Sequence, residues 1–91
     1  MPRPLRIACL QTRPMPSVNS ALDEALPLAR QAVSAGAQFL FLPEYCGGLA
    51  SEGAALVPPA HEENDHPFLA SFQGFARDHS VWIMIGSIAV K

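Results

Sequence analysis

Apolar residues follow two patterns along the chain, and the first pattern predicts strands. Short, almost continuous apolar runs occupy residues 5–12, 39–42 and 82–90. Pro, Gly or polar residues bound each run, so each predicts a strand. The second run shows no alternation, which is typical of a strand buried on both faces. Cys9, in the middle of the first run, is therefore expected in the core.

The second pattern predicts a helix between residues 17 and 36. Its apolar positions recur every three or four residues: Val18, Leu22, Ala25, Ala29 and Ala32. This spacing is typical of one face of an amphipathic helix. Ser20 with Asp23 resembles a capping box, and Gly36 stands where a left-handed helix stop is expected. Pro27 predicts a kink, or a helix that starts later.

A second helix is predicted after residue 65. Asp65 is expected to cap it and Pro67 to lie in its first turn. One face carries the apolar side chains Phe68, Phe72, Phe75 and Ala76. Residues 45–65 predict a long loop with at most one helical turn, and such loops are often functional. The order β, α, β, α, β predicts an α/β fold with parallel strands joined by right-handed crossovers.

Composition indicates that the chain is part of a larger domain. Its 91 residues are 49% apolar and only 15% charged. A free-standing domain of this size needs less apolar surface, because it buries only about 60–65% of the area that its unfolded chain exposes. Residues 1–91 are therefore interpreted as an incomplete domain. We expect one face of its sheet to be exposed and the isolated chain to associate.

Charge and apolar length exclude several classes of partner. The formal net charge is −2 and no basic run occurs, which excludes nucleic acid. The apolar stretch at residues 7–10 is too short for an export signal, and no apolar segment reaches the ~18 residues that span a bilayer. Cys9 and Cys46 do not resemble a disulfide framework. A cytoplasmic protein without membrane contact is expected.

The stretch FLFLPEYCGG at residues 39–48 carries the main candidate for chemistry. Glu44 follows Pro43 just beyond a predicted parallel strand, where functional residues collect in such sheets. Next to an apolar interior, desolvation would raise the pKa of this carboxylate and make it a better proton acceptor. The alternatives are a solvated carboxylate at the strand end or an ion pair with an arginine.

The ordered set of segments RIACLQT, GAQFLFLPEY and WIMIGS resembles the N-terminal third of the nitrilase superfamily of carbon-nitrogen hydrolases. In that family a Gly before a hydrophobic strand, a Pro-Glu at its end and a first strand ending in Gln recur in this order. The matching residues are Gln11, Gly36, Phe39, Leu40, Pro43 and Glu44. Leu42 and the residues after Cys46 depart from the strictest pattern, which leaves the subfamily open.

The resemblance implies an αββα sandwich, of which this chain would form a βαβαβ segment, and a Glu-Lys-Cys triad. Glu44 would accept the proton of a cysteine thiol, and the thiolate would attack an amide or nitrile carbon. The lysine would stabilise the tetrahedral intermediate. The implied enzyme is an amidase-like hydrolase of a small amide or nitrile, without a cofactor and homo-oligomeric when complete.

Only Glu44 of the triad carries over to this chain. Lys91 is the only lysine and follows Glu44 too soon, so the triad's Lys and Cys are expected beyond residue 91 and the chain alone is predicted inactive. Cys46 is interpreted as a small packed hydrophobe. Tyr45 is predicted to line the substrate pocket, with packing under the loop as the alternative.

The remaining polar residues do not predict a metal site. His61, His66 and His79 lack ligand partners at metal-binding spacing and are interpreted as solvated. Two other functions stay open. A nucleotide-binding or flavodoxin-like module would need a glycine-rich turn where TRPMPS stands. A non-catalytic ligand-binding or partner-binding module would share the same fold.

Overall fold

The computed structural model describes residues 4–91, which form a small mixed α/β domain. Two α-helices, seven short strands and one 3-10 helix lie in these residues. In chain order they are β1 (Ile7–Cys9), α1 (Val18–Ser34), β2 (Phe39–Phe41), β3 (Ala50–Glu52), β4 (Ala55–Val57), β5 (Ala60–His61), the 3-10 helix (Glu63–Asp65), α2 (Pro67–His79), β6 (Trp82–Met84) and β7 (Ala89–Val90). The predicted βαβαβ order is confirmed by β1, α1, β2, α2 and β6.

The main sheet contains β1, β2 and β6, in that order, and all three strands are parallel. Ile7, Phe39 and Trp82 are aligned across it, as are Cys9, Phe41 and Met84. Because consecutive strands are neighbours and right-handed crossovers turn the same way, both connecting helices lie on one face. The helices also contact each other. β2 is the central strand.

The core lies between this sheet and the two helices. Leu40 in β2 is fully buried there, together with Ala25 and Ala29 of α1. From α2 come the three aromatic side chains Phe68, Phe72 and Phe75. Their rings contact each other in sequence, with centroids 4.9 Å and 6.0 Å apart. The predicted apolar faces are confirmed, and each buried phenylalanine contributes roughly 1.5–3 kcal/mol to stability.

The first helix is capped differently from the prediction. Ser17, not Ser20, is the N-cap: its Oγ accepts a hydrogen bond from the Ser20 N–H at 3.1 Å, and the Ser20 Oγ accepts one from the Ser17 N–H at 3.1 Å. The predicted box with Asp23 is wrong because the helix begins at Val18. The alternative of a later start is also wrong, because α1 continues through Pro27.

The C-terminus of α1 and the start of α2 test three further predictions. Gly36 has a φ of +94° and confirms the predicted stop. Pro67 lies in the first turn of α2, as predicted, but the N-cap is His66 instead of Asp65. A residue before proline is driven to extended backbone, which is the conformation of an N-cap, and His66 has φ −72° and ψ 112°.

The long loop predicted at residues 45–65 contains more structure than expected. β3 and β4 form an antiparallel hairpin around Gly53, which has a φ of +62°. The prediction of an unstructured loop is wrong there, because these exposed strands carry no alternation of apolar and polar residues. The 3-10 helix confirms the single helical turn. After the hairpin, β5 pairs in parallel with β7.

The predicted strand at residues 82–90 is divided into β6 and β7. A Cβ at Gly86, between them, would lie 2.6 Å from the Leu42 carbonyl oxygen and would also strike the Pro43 carbonyl group. The chain therefore leaves the main sheet at this point, and β7 pairs with β5. The prediction of a single long strand is wrong, because the close approach of Gly86 to residues 42 and 43 separates β6 from β7.

The face of the sheet opposite the helices is apolar and open. This open face consists of Ile7, Cys9, Phe39, Phe41, Trp82 and Met84. Trp82 is 75% exposed, and Cys9 is exposed as well. The prediction that Cys9 lies in the core is wrong, and so is the prediction that β2 is buried on both faces. The expected exposed sheet face is confirmed. Within residues 4–91, neither α1 nor α2 has the length and the apolar sequence of a membrane-spanning helix.

Candidate functional site

The carboxyl ends of β1, β2 and β6 meet at one edge of the main sheet. Parallel pairing continues one residue past the strands: the Leu10 N–H donates to the Phe41 carbonyl at 2.8 Å, and the Leu42 N–H donates to the Met84 carbonyl at 2.9 Å. The chain then turns at residues 44–47 and passes beside residues 85–88. Function in open parallel sheets concentrates at this edge.

Glu44 lies in the turn that follows the central strand, as predicted, but its side chain is exposed to solvent. The predicted desolvation of its carboxylate is wrong within residues 4–91. The physical reason is that only residues 46–48 of this turn are packed against the rest of the domain, whereas residues 43–45 face solvent. The ion pairs among the described residues are Arg13–Glu24 and Arg77–Asp78, so the alternative of an arginine partner for Glu44 is not observed there. Its catalytic role stays a prediction.

Residues 86 and 87 hold the backbone of this turn. The Tyr45 N–H donates a hydrogen bond to the Ser87 Oγ at 2.9 Å. The Cys46 Sγ–H points to the Ser87 carbonyl oxygen at 3.7 Å. The sequence analysis did not predict the contact between Ser87 and this turn. The available signal was the dipeptide Gly-Ser at the end of WIMIGS, which resembles the family without showing what it contacts.

Tyr45 is 46% exposed, so the alternative that it packs under the loop is wrong. Its φ is +54°, in the left-handed region that residues with a Cβ rarely adopt. The Gly48 N–H donates to the Tyr45 carbonyl at 3.0 Å and closes the turn. The tyrosine ring thus lies next to Glu44 in the sequence and remains accessible. Its role in substrate binding stays a prediction.

Cys46 is buried, which confirms its interpretation as a packed hydrophobe. Burial raises the pKa of its thiol, although hydrogen bonds from nearby backbone groups, first that of Ser87, oppose the shift. A raised pKa lowers the fraction of thiolate, the form that attacks carbon. Cys46 is therefore poorly suited to nucleophilic catalysis.

His66 differs from the predicted solvated histidine. It is only 1% exposed, and its Nε2 lies 3.1 Å from the Ala89 carbonyl oxygen. The Nδ1 atom has no hydrogen-bond partner within residues 4–91. Burial lowers the pKa of His66, the hydrogen bond to Ala89 opposes this shift, and the nearby ring of His61 adds to it. His79 is exposed, as expected.

Two cavities lie away from Glu44 and Tyr45. A groove of about 450 Å³ runs between α2 and β6, and a smaller cavity of about 330 Å³ lies at the start of α1. Neither is lined by Glu44 or Tyr45. No cluster of three or more His, Cys, Asp or Glu side chains suited to a metal ion occurs in the part of the chain that the structure describes.

Comparison with known protein families shows to which family the chain belongs. The family model described as carbon-nitrogen hydrolase matches residues 6–91, which include the strand-end turn with Glu44 and the Ser87 contact. The chain belongs to the carbon-nitrogen hydrolase family. This membership confirms the resemblance to the N-terminal segment of the nitrilase superfamily. No curated protein and no solved structure matches this family member.

Proposed function

We propose that Glu44 is the general base of an amidase-like enzyme that hydrolyses a non-peptide carbon-nitrogen bond. The observation that carries this proposal is its place at the carboxyl end of the central parallel strand in a member of the carbon-nitrogen hydrolase family. A carboxylate at that edge stands where substrates of such sheets bind. Tyr45, the next residue and accessible to solvent, lines the substrate pocket in this proposal.

In this reaction Glu44 takes the proton from a cysteine thiol, and the thiolate attacks the carbonyl carbon of a small amide. The C–N bond breaks as Glu44 passes this proton to the leaving amine, and a thioester forms. Water then loses a proton to Glu44 and cleaves the thioester, which returns the thiol. A lysine stabilises the oxyanion of each tetrahedral intermediate. With a nitrile, the thiolate adds to the C≡N carbon to give a thioimidate, and water must add to that carbon before ammonia leaves and the thioester forms.

The cysteine and lysine of this scheme are proposed to lie beyond residue 91. Cys46 is buried with a raised pKa, and Cys9, the last residue of β1, lies on the open face of the sheet. Lys91 donates its backbone N–H to His61 at the end of β7, outside the main sheet. The isolated 91-residue chain is therefore expected to show no turnover.

The open face supports the proposal that this chain contributes one sheet and the helices that cover it to an αββα sandwich. Its six side chains are all apolar and share one side of the sheet. A second sheet packed on that side would bury them, and loops from it could cover Glu44 and exclude water. Desolvation of the carboxylate would then come from outside residues 4–91.

The test uses the complete polypeptide that contains these 91 residues. Glu44→Gln keeps the shape of the side chain and removes its ability to accept a proton, so amide hydrolysis should fall by about 10²–10⁴-fold. Release of ammonia or amine from a panel of small carboxylated amides and the matching nitriles measures this. Glu52→Gln, at an exposed carboxylate in β3, is the matched control and should retain activity.

Circular dichroism of both variants checks that the fold is unchanged. Retention of wild-type turnover by a folded Glu44→Gln protein contradicts the base assignment.

A second candidate function is a non-catalytic partner-binding module. The observation that favours it is the solvated carboxylate of Glu44 beside an open apolar face. It predicts that the complete polypeptide folds and binds a partner through that face, and hydrolyses neither amides nor nitriles. Turnover that depends on Glu44 would exclude it.

A further inference from the structure

The two peptide groups that flank the Cα of Glu44 are both held by residues 86 and 87. On one side, the carbonyl group of Pro43 packs against Gly86 so closely that a Cβ at Gly86 would strike it. On the other side, the N–H of Tyr45 donates to the Ser87 Oγ at 2.9 Å. Since these two peptide planes determine the φ and ψ of Glu44, the direction of its Cα–Cβ bond depends on residues 86 and 87.

The second of these contacts acts on a residue in an unfavourable conformation. Tyr45 has a φ of +54°, although it carries a large side chain. Non-glycine residues hold this conformation only where surrounding contacts impose it. The Ser87 hydroxyl supplies such a contact at the N–H of Tyr45, and Gly48 supplies another at its carbonyl. Without an acceptor at residue 87, the turn can relax toward ordinary backbone angles and redirect Glu44.

We propose that Ser87 is a positioning residue for Glu44, and that its hydroxyl holds the Glu44–Tyr45 peptide in the orientation that hydrolysis requires. This inference rests on the proposed function of Glu44 as the base. Ser87 acts through the backbone and does not itself touch the reacting atoms. Displacing a reacting group by about 1 Å can lower the rate on the order of 10²-fold. Loss of the Ser87 hydroxyl should therefore lower the rate measurably if it shifts the carboxylate of Glu44.

The structure separates the hydroxyl from the other contacts of Ser87. Cys46 points to the backbone carbonyl of Ser87, which any residue at position 87 retains. Ser87→Ala therefore removes the acceptor for Tyr45 and leaves that contact possible. Ser87→Thr keeps a hydroxyl at the same position. Ser51→Ala, at an exposed serine in β3, is the matched control.

The experiment measures kcat, KM and the pH profile of amide hydrolysis for the complete polypeptide. We expect Ser87→Ala to lower kcat by about 10–100-fold, with KM changed less than about threefold and the acidic limb of the kcat profile shifted. Ser87→Thr should recover most of the loss, and Ser51→Ala should match the wild type. If Ser87→Ala has the kcat of the wild type and the same acidic limb in its pH profile, the inference is overturned.

A double-mutant cycle keeps the inference testable if threonine does not fit. Asn adopts the left-handed conformation more readily than Tyr, so Tyr45→Asn should reduce the need for the Ser87 hydroxyl. Ser87→Ala should then cost less in the Tyr45→Asn background than in the wild type. Equal losses in both backgrounds would overturn the inference. Glu44→Gln separates the two proposals: if it is inactive while Ser87→Ala is fully active, only the positioning role fails, and if it is active, the base assignment fails.

Discussion

At the scale of single residues, Glu44 lies in an exposed turn beyond the central strand, and contacts from residues 86 and 87 hold the backbone of this turn. The place of Glu44 just beyond a strand followed from FLFLPEY alone, because Pro43 ends the apolar run. Its exposure could not be predicted, because exposure depends on what covers the sheet edge and not on local pattern. The Ser87 contact could not be predicted either, since it joins residues 42 positions apart in the sequence.

Gly86 provides a stability prediction at this scale. Gly86→Ala places a Cβ against the carbonyl groups of Leu42 and Pro43, so it should destabilise the protein by at least about 1–3 kcal/mol. Gly74→Ala is the control: it lies within α2, and its Cβ would meet only the Arg77 guanidinium, at 3.7 Å. Alanine favours a helix over glycine, so this variant should gain about 0.5–1 kcal/mol. Urea denaturation measures both, and equal stabilities would contradict the close approach at Gly86.

His66 provides a pH prediction. Because burial lowers its pKa in the folded state, the unfolded chain binds its proton more readily. The resulting stability is fully present above the unfolded pKa of about 6.5 and is lost as the pH falls toward the folded value. Denaturation midpoints measured from pH 7.5 to 5 should therefore fall.

His66→Gln should reduce this pH dependence, whereas His79→Gln, at an exposed histidine, should preserve it. If the denaturation midpoint of His66→Gln falls with pH as steeply as that of the wild type, another group causes the pH dependence, which would contradict the prediction.

At the scale of elements, the periodic helices were predictable and their ends were less so. The buried face of α2, with Phe68, Phe72 and Phe75, was predicted correctly, because helical spacing alone determines which residues share a face. The predicted cap of α1 was wrong because several polar residues near its start could serve, and the helix begins one turn earlier, with Ser17 and Ser20 forming the capping box. The β3–β4 hairpin has exposed strands and therefore no hydrophobic pattern to reveal it.

The two possible caps of α1 can be distinguished by mutation. Ser17→Ala removes the acceptor for the Ser20 N–H and should cost about 0.5–2 kcal/mol of stability. Asp23→Ala removes the predicted partner of Ser20 in the capping box. Asp23 is exposed in α1, so this change should alter stability by less than about 0.5 kcal/mol. Thermal denaturation of both variants measures this. A larger loss for Asp23→Ala would contradict the observed cap.

At the scale of the whole molecule, the sheet has one covered and one open side. The helices bury Leu40 and its neighbours, while Ile7, Trp82 and Met84 stay more than half exposed. The sequence predicted an open face from composition, because the chain is too apolar for its length. It could not predict which residues form that face, since this depends on the strand register and on the side that the helices take.

The open face predicts self-association of the isolated chain. Exposed apolar surface of this kind favours contact between copies, and so do the outer edges of β1 and β6, which pair with no further strand within residues 4–91. Sedimentation velocity should show oligomers that grow with concentration. Trp82→Glu should reduce association, whereas Leu56→Glu, at a residue 66% exposed in the hairpin and away from the open face, should not. A wild-type chain that remains a monodisperse monomer and melts cooperatively would contradict this expectation.

The most direct test of the account is the first-turnover release of amine by the complete polypeptide, compared between wild type and Glu44→Gln. This step requires a base to take the thiol proton before any thioester can form. The account predicts that Glu44→Gln, folded as the wild type, releases amine about 10²–10⁴-fold more slowly. Release at the wild-type rate would contradict the claim that Glu44 is the base.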